Sequence, residues 1–103
     1  MTWHGHLARD LTGQMHEPSG KTLRLDARLN ADGTLAVSVA SPHGQFSGQI
    51  DKARARWSLG SRWGFRMEGP VTWDGRRFVL GAHDQMHLPE DLWLPDEVVA
   101  LSA

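Results

Sequence analysis

The chain has 103 residues, no cysteine and a formal net charge of −1 with histidine counted as neutral. This length suits a single domain with one core, and we take residues 1–103 as that domain. The missing cysteine excludes disulfides, thiolate metal ligands and thiol nucleophiles, and the near-neutral charge argues against nucleic acid as a partner.

A secretion signal has a basic region followed by an apolar stretch, and the N-terminus of this sequence has neither. Apolar runs such as Val98-Val99-Ala100-Leu101 are far shorter than a helix that crosses a bilayer. We therefore expect a cytoplasmic protein without a membrane partner.

Most of the chain alternates apolar and polar residues, which predicts strands with one buried face. In chain order the apolar positions are Trp3, Gly5 and Leu7; Leu23, Leu25, Ala27 and Leu29; Leu35, Val37 and Val39; Phe46, Gly48 and Ile50; Ala53, Ala55, Trp57 and Leu59; Trp63, Phe65, Met67, Gly69 and Val71; Phe78, Leu80 and Ala82; and Val99 and Leu101. The pattern predicts six consecutive strands between residues 22 and 83 and one more at each end.

Turn-forming residues separate these segments. Residues 30–33 predict a type I turn with Gly33 in the left-handed conformation, which makes a bulged hairpin. Asp74-Gly75 predicts a two-residue type I′ turn. Between Pro89 and Pro95 we expect a short C-terminal helical turn that begins at Pro89.

Parity restricts how the strands align, because residues that face each other across a hairpin lie on the same side of the sheet. Loops at residues 51–52, 60–62 and 74–75 satisfy this condition. The pairs that they predict include Ile50 with Ala53, Phe46 with Trp57, Trp57 with Phe65, and Val71 with Phe78.

An antiparallel meander of seven or eight strands has two unpaired edges, which closure into an up-and-down barrel removes. The predicted fold is therefore an all-β, single-domain antiparallel meander closed into a small barrel, with a half-open roll as the main alternative. The architecture resembles that of avidin-type or lipocalin-type barrels. This is a similarity of fold, since no motif assigns the chain to either family.

The predicted alignment also places cationic side chains in a row on the outer face. Arg56 is expected opposite Arg66, Arg66 opposite His83, and Arg54 opposite Glu68 on a neighbouring row. Like charges that face each other destabilise a sheet. In one explanation, Arg54, Arg56, Arg66 and His83 bind an anion or the acidic surface of a partner.

In the other explanation, carboxylates of the same chain compensate these charges. Residues 51–77 carry seven Lys/Arg and three Asp/Glu, whereas residues 78–103 carry five acids and neither Lys nor Arg. The acidic segment can lie against the basic strands, with Asp84, Glu90 or Asp91 meeting the arginines.

The chain has five tryptophans. Trp57 and Trp63 belong to the buried pattern and are expected in the core. If the barrel is wide enough, Trp57, Trp63 and Phe65 line a pocket for a small apolar ligand. The other tryptophans fall near strand or loop ends, where they can cover a barrel mouth or form an interface: Trp3, Trp73 and Trp93.

Six histidines raise the question of a metal site. His4 and His6 share one strand face and have the spacing of a chelating pair. His83 and His87 lie four residues apart in a stretch that does not predict a helix, so their spacing has no geometric meaning. We predict no metal site and no cofactor, because zinc sites need three or four ligands.

Catalytic motifs are missing from the sequence: it has no nucleophile elbow, phosphate loop or dinucleotide fingerprint. We therefore assign no catalytic residue and predict a non-enzymatic domain that contacts a protein partner or forms a homodimer. Two alternatives stay open. One is a carrier of an apolar ligand inside the barrel, and the other is a small acid–base enzyme around His83, Glu68 and Asp84.

Overall fold

Nine antiparallel strands make up the part of the chain that the structure, a computed structural model, describes: residues 2–42, 44–62 and 64–87. The strands are β1 (His4–Ala8), β2 (Thr12–His16), β3 (Thr22–Leu29), β4 (Leu35–Ser41), β5 (Gly44–Asp51), β6 (Arg56–Ser61), β7 (Arg66–Trp73), β8 (Arg77–Leu80) and β9 (Gln85–His87). These ranges contain no helix, and hence none long and apolar enough to cross a membrane.

Eight of these strands close into a barrel. Each of β1 to β7 pairs with the next strand, and β1 pairs with β8 so that His6 lies opposite Val79. The extra strand, β9, pairs with the start of β7, where Met86 lies opposite Met67. The predicted closed antiparallel barrel is confirmed, because the pairing of β1 with β8 removes the two open edges that a half-open roll would have.

Between β8 and β9, residues 81–84 interrupt the regular pairing with β7 but remain hydrogen-bonded to it. The Gly81 N–H donates to the carbonyl of Pro70 at 2.8 Å, and the Asp84 N–H donates to the carbonyl of Glu68 at 2.9 Å. The interruption lets β8 reach β1 while β9 continues along β7.

The six strands predicted between residues 22 and 83 are present as β3 to β8. Before them, the alternation predicted one strand, and the structure has two. β2 escaped prediction because Met15 is its one large apolar residue and its remaining positions are polar or glycine. The predicted last strand and the helical turn between Pro89 and Pro95 lie outside the described residues.

Inward-facing side chains fill the barrel. The largest that are less than 2% exposed are Trp57, Leu7, Met15, Leu25, Ile50, Leu59, Met67, Leu80 and Val39. Trp57 is the biggest of them, and its Nε1–H donates to the carbonyl of Gly81 at 2.9 Å. Its ring lies against Gly69, where a Cβ atom would come within 2.6 Å of Nε1. Gly69 therefore makes room for the tryptophan that fixes β6 against β7.

Some residues predicted to face inward do not. Leu29 is 63% exposed because it lies at the end of β3, beyond the filled interior. Ala53 and Ala55 are exposed in the loop between β5 and β6, and Ala82 is exposed in the interruption after β8. Trp63 lies outside the described residues.

Three of the predicted hairpin alignments are wrong. Ile50 pairs with Trp57 instead of Ala53, Trp57 pairs with Gly69 instead of Phe65, and Val71 pairs with Leu80 instead of Phe78. Each error is a shift of two or four residues, which keeps the same side chains inside. Alternation with a period of two is unchanged by such a shift and therefore could not reveal it.

Turn geometry explains the shifts. The chain reverses between β5 and β6 over residues 52–55, where the Ala55 N–H donates to the carbonyl of Lys52 at 3.3 Å. At the β7–β8 turn, Gly75 has a φ of 96° but Asp74 has no positive φ, so the turn is not type I′. Instead, Asp74 Oδ1 accepts from the N–H groups of Arg76 and Arg77, both at 2.9 Å.

The predicted bulged hairpin at residues 30–33 is confirmed. The Gly33 N–H donates to the carbonyl of Asn30 at 3.1 Å, the Asn30 N–H donates to the carbonyl of Thr34 at 2.8 Å, and Gly33 has a φ of 89°. Residues 17–21 use the same design with Gly20, and residues 8–12 use it with Leu11 in the position of the glycine.

Candidate functional site

The cationic row predicted on the outer face is not formed. Arg56 lies opposite Pro70, and Arg66 lies opposite Gly60, four residues away along the same strand pair. On its other side, Arg66 lies opposite His87 rather than His83. The prediction was wrong because it relied on the shifted alignment of β6 with β7.

Arg56 instead has a carboxylate partner. Its guanidinium donates to both oxygens of Asp84, at 2.7 Å and 2.6 Å. These hydrogen bonds are the main reason that the pKa of Asp84 is lowered and the pKa of Arg56 is raised. Asp84 was one of the carboxylates expected to compensate the arginines, and the other two, Glu90 and Asp91, lie outside the described residues.

The remaining residues of the predicted row have separate surroundings. Arg54 belongs to the β5–β6 turn, where its N–H donates to Asp51 Oδ1 at 3.2 Å. His83 is held by Trp3: its N–H donates to the Trp3 carbonyl at 3.0 Å, and its Nδ1 accepts from the Trp3 N–H at 3.1 Å. The four residues therefore do not converge on one site.

The three residues of the acid–base alternative are likewise engaged elsewhere. Glu68 Oε2 lies 3.4 Å from His87 Nε2, whereas Asp84 is bound by Arg56 and His83 by Trp3. Among the described residues, none of the hydrogen bonds joins the side chains of His83, Glu68 and Asp84 to one another.

The two ends of the barrel differ. Consecutive strands run in opposite directions, so four hairpins (β1–β2, β3–β4, β5–β6 and β7–β8) turn at one end, which we call the hairpin end. The other end, which we call the N-terminal end, has Trp3 and the β2–β3 and β6–β7 turns.

At the N-terminal end, an open groove of about 910 Å³ is lined by Trp3, Phe46, Phe65 and Arg62, among others. Trp3 meets Phe46 edge-on with ring centroids 5.6 Å apart, and Phe46 and Phe65 are 6.0 Å apart. Of the residues predicted to line a ligand pocket, Phe65 lies in this groove. Trp57 does not, because it is buried in the core, and Trp63 lies outside the described residues.

At the hairpin end, large apolar side chains are exposed to solvent. Leu29 is 63% exposed and Trp73 is 45% exposed. With Leu11, Phe78, Arg9 and Lys52, they line a shallow groove of about 480 Å³. We call these six residues the hairpin-end patch. The Arg9 guanidinium lies 5.2 Å from the centre of the Trp73 ring, close enough for a cation–π contact.

Leu11 in this patch has a φ of 68°, a conformation that costs a non-glycine residue roughly 1–2 kcal/mol. In the hairpins of the same design, the equivalent residues are Gly20, Gly33 and Gly64. The leucine therefore keeps an apolar side chain in the patch where glycine would be easier to accommodate. Strain of this kind is concentrated at functional sites.

Each turn at the hairpin end uses an aspartate to bind its own backbone N–H groups: Asp10, Asp32, Asp51 and Asp74. The hydrogen bonds lower the pKa of Asp10, Asp32 and Asp74. By contrast, the cations Arg9, Lys52, Arg54 and Arg76 form no ion pair among the described residues. As far as the described residues go, the accessible cations at this end are thus available to an anionic group.

Three histidines lie together on the outer face of β1 and β2. His4 pairs with His16, with ring centroids 5.0 Å apart, and the rings of His6 and His16 are 6.1 Å apart. The pKa of His6 is lowered, mainly by burial and then by Arg77 and His16. In the described part of the chain, no three His, Asp or Glu side chains are arranged to hold a metal ion.

Comparison with known proteins finds no matching family model, no significantly similar curated protein and no significantly similar solved structure. A functional assignment for this closed β-barrel therefore depends on its own residues, above all on the hairpin-end patch and on the aromatic groove at the N-terminal end.

Proposed function

We propose that this chain is a non-enzymatic protein-binding domain that self-associates, with the hairpin-end patch of one copy binding residues 88–103 of a second copy. The observation that carries the proposal is the exposure of Leu29 and Trp73 beside cations that have no ion-pair partner among the described residues. Tryptophan and arginine are the side chains that most often dominate the energy of protein interfaces.

The chemistry of the patch supports this choice of occupant. An apolar surface bordered by Arg9 and Lys52 favours a segment that combines apolar side chains with carboxylates. Residues 88–103 have this composition: they contain Leu92-Trp93-Leu94, four acidic residues and neither Lys nor Arg.

Strand direction favours a second copy over the same chain. β9 runs antiparallel to β7 and ends with His87 opposite Arg66, so at His87 the chain is heading away from the hairpin end. The patch residue Trp73 lies seven residues further along β7, roughly 23 Å away. Leu92 follows His87 by five residues, which span at most about 17 Å when fully extended. Five residues of chain are therefore too short to join His87 to the patch of the same copy.

The contact is heterologous, because the patch of one copy binds a different segment, residues 88–103, of the other copy. Contacts of this kind generate open chains or rings instead of a simple twofold dimer. Light scattering on the purified 103-residue chain should thus give a mass that rises above 11.5 kDa as the protein concentration increases.

Variants test the surface. Leu29→Ser combined with Trp73→Ser should return the mass to that of the monomer, and so should the replacement of Glu90, Asp91, Asp96 and Glu97 by their amides. Met86→Ser is the matched control, because Met86 is also 45% exposed but lies on β9, away from the patch.

A wild-type chain that stays monomeric at millimolar concentration would overturn the proposal, and so would association that survives in the Leu29/Trp73 variant. If the monomer persists while removal of the four acids shifts the NMR signals of the patch, the occupant is the chain's own segment and self-association is wrong.

A second candidate function is a small-molecule carrier that uses the groove at the N-terminal end. Its support is the aromatic lining of Trp3, Phe46 and Phe65 around about 910 Å³ of open space, a volume typical of ligand sites. This function differs from an internal carrier, because the ligand would lie at the end of a filled barrel.

A further inference from the structure

A buried carboxyl group lies at the N-terminal end of the barrel. Glu17 follows β2 and is 7% exposed. One of its oxygens, Oε2, accepts a hydrogen bond from Ser19 Oγ at 2.8 Å. The other, Oε1, is buried and has no hydrogen-bond partner in the described part of the chain. Among the described residues, Glu17 takes part in no ion pair.

The unpaired oxygen Oε1 of Glu17 needs a hydrogen-bond donor. A buried acceptor left unpaired destabilises a protein by about 1–3 kcal/mol, and more if it is charged. Buried polar groups are therefore nearly always paired, and an exception commonly marks a place that a water, an ion or a ligand fills. An ionised carboxylate only accepts hydrogen bonds, so its partner must be a donor.

The register places Glu17 next to the aromatic groove. His4 lies opposite His16 and Gly5 opposite Met15, so the same antiparallel register continues to Trp3 opposite Glu17. Residues directly opposite each other have Cβ atoms about 5 Å apart. Trp3 also lines the groove with Phe46 and Phe65, so Glu17 and the groove share Trp3 as a neighbour.

We propose that the N-terminal end of the barrel binds a small organic ammonium compound with an apolar body. The ammonium group donates to Glu17 Oε1, and the apolar body lies against Trp3 and Phe46. Aromatic faces attract cations as well as apolar groups, so both parts of the site favour the same ligand class.

This inference rests on the carrier function proposed above and not on the hairpin-end patch. Its test uses three probes of similar size: phenethylamine, phenethyl alcohol and phenylacetate. Each is titrated into the full-length chain and followed by amide NMR. We expect saturable binding of the amine, at least about tenfold tighter than that of the alcohol, because a hydrogen bond to a charged group is the stronger one. We expect no binding of phenylacetate.

Glu17→Gln should abolish the preference for the amine while leaving binding of the alcohol unchanged. Glu68→Gln is the matched control, because Glu68 is a partly buried carboxyl on the outer face of β7, and it should leave the preference intact. Phe46→Leu should weaken both the amine and the alcohol. The amide spectra of the free variants show whether each is folded.

The outcomes separate the inference from the function on which it rests. Equal affinity for the amine and the alcohol overturns the role of Glu17 but keeps the groove as a carrier site. An amine that binds equally well to Glu17→Gln is an adventitious additive only, and the inference is wrong. Failure of all three probes to bind overturns both.

Discussion

Among the residues that the structure describes, two other than glycine, Leu11 and Ala55, adopt a left-handed backbone conformation, with φ values of 68° and 55°. They differ in what the conformation provides. Leu11 contributes an apolar side chain to the hairpin-end patch, whereas Ala55 is exposed and its carbonyl accepts a hydrogen bond from the Val71 N–H at 2.9 Å. Any residue supplies that carbonyl, so strain at Ala55 can be relieved without loss of a contact.

Replacing Ala55 by glycine should therefore stabilise the protein. Relief of roughly 1–2 kcal/mol of strain exceeds the roughly 0.4–1 kcal/mol lost to the more flexible unfolded chain. We expect the free energy of unfolding in guanidinium chloride to rise by about 0.5 kcal/mol.

Ala53→Gly is the matched control, because Ala53 lies in the same loop, is exposed and has no positive φ. It should lower the free energy of unfolding by about 0.5 kcal/mol, since only the entropy of the unfolded chain changes. Shifts of the same sign in both variants would contradict the assignment of strain to Ala55.

At the scale of the secondary-structure elements, the ion pair of Arg56 with Asp84 attaches the segment between β8 and β9 to β6. This ion pair is bidentate, with two hydrogen bonds. In the ion pair of Arg24 with Asp26 on β3, a single contact of 2.8 Å joins two well-exposed side chains. Exposed single pairs contribute little to stability, so the two pairs should respond differently to substitution.

Asp84→Asn should lower the melting temperature at neutral pH, and the difference from wild type should shrink in acid. In the folded state the pKa of Asp84 is lowered, mainly by the hydrogen bonds from Arg56, so the unfolded chain takes up a proton first as pH falls. The stabilisation is complete above the ordinary aspartate range and is lost as pH falls through the lowered pKa.

Asp26→Asn serves as the control and should leave the melting temperature unchanged at both pH values. A pH-independent difference between Asp84→Asn and wild type would show that the charge of Asp84 is not what attaches this segment.

At the scale of the whole molecule, the pairing of β1 with β8 makes the barrel one closed unit. Leu7 of β1 is fully buried and lies opposite Phe78 of β8. A cavity at this position therefore weakens the packing of both β1 and β8. We expect β1 to unfold together with the rest of the barrel.

Leu7→Ala should lower the free energy of unfolding by about 2–5 kcal/mol. Denaturation followed by far-ultraviolet circular dichroism and by tryptophan fluorescence should still give one coincident transition. Leu29→Ala, at a leucine that is 63% exposed, should change stability by less than about 0.5 kcal/mol. Separate transitions for the two signals in Leu7→Ala would indicate that β1 unfolds alone.

The sequence by itself determined the fold class and most of the interior. Alternation identified Leu25, Val37, Ile50 and Leu59 as inward-facing, and the glycine of residues 30–33 specified its turn. Such features are local, because the side-chain direction repeats every two residues and a turn depends on a few neighbouring backbone angles. They stayed correct even where the predicted alignment was wrong.

Only the tertiary structure decided which strand positions face each other, and the candidate sites follow from that alignment. It separated Arg56 from Arg66 and paired Arg56 with Asp84. It also aligned His4 with His16, and this register, extended by one residue, brings Glu17 opposite Trp3. A slide of two residues keeps every side chain on its face but gives it new neighbours. Turn length and the packing of the core determine the offset between neighbouring strands. The alternation of apolar and polar residues carries no information about either.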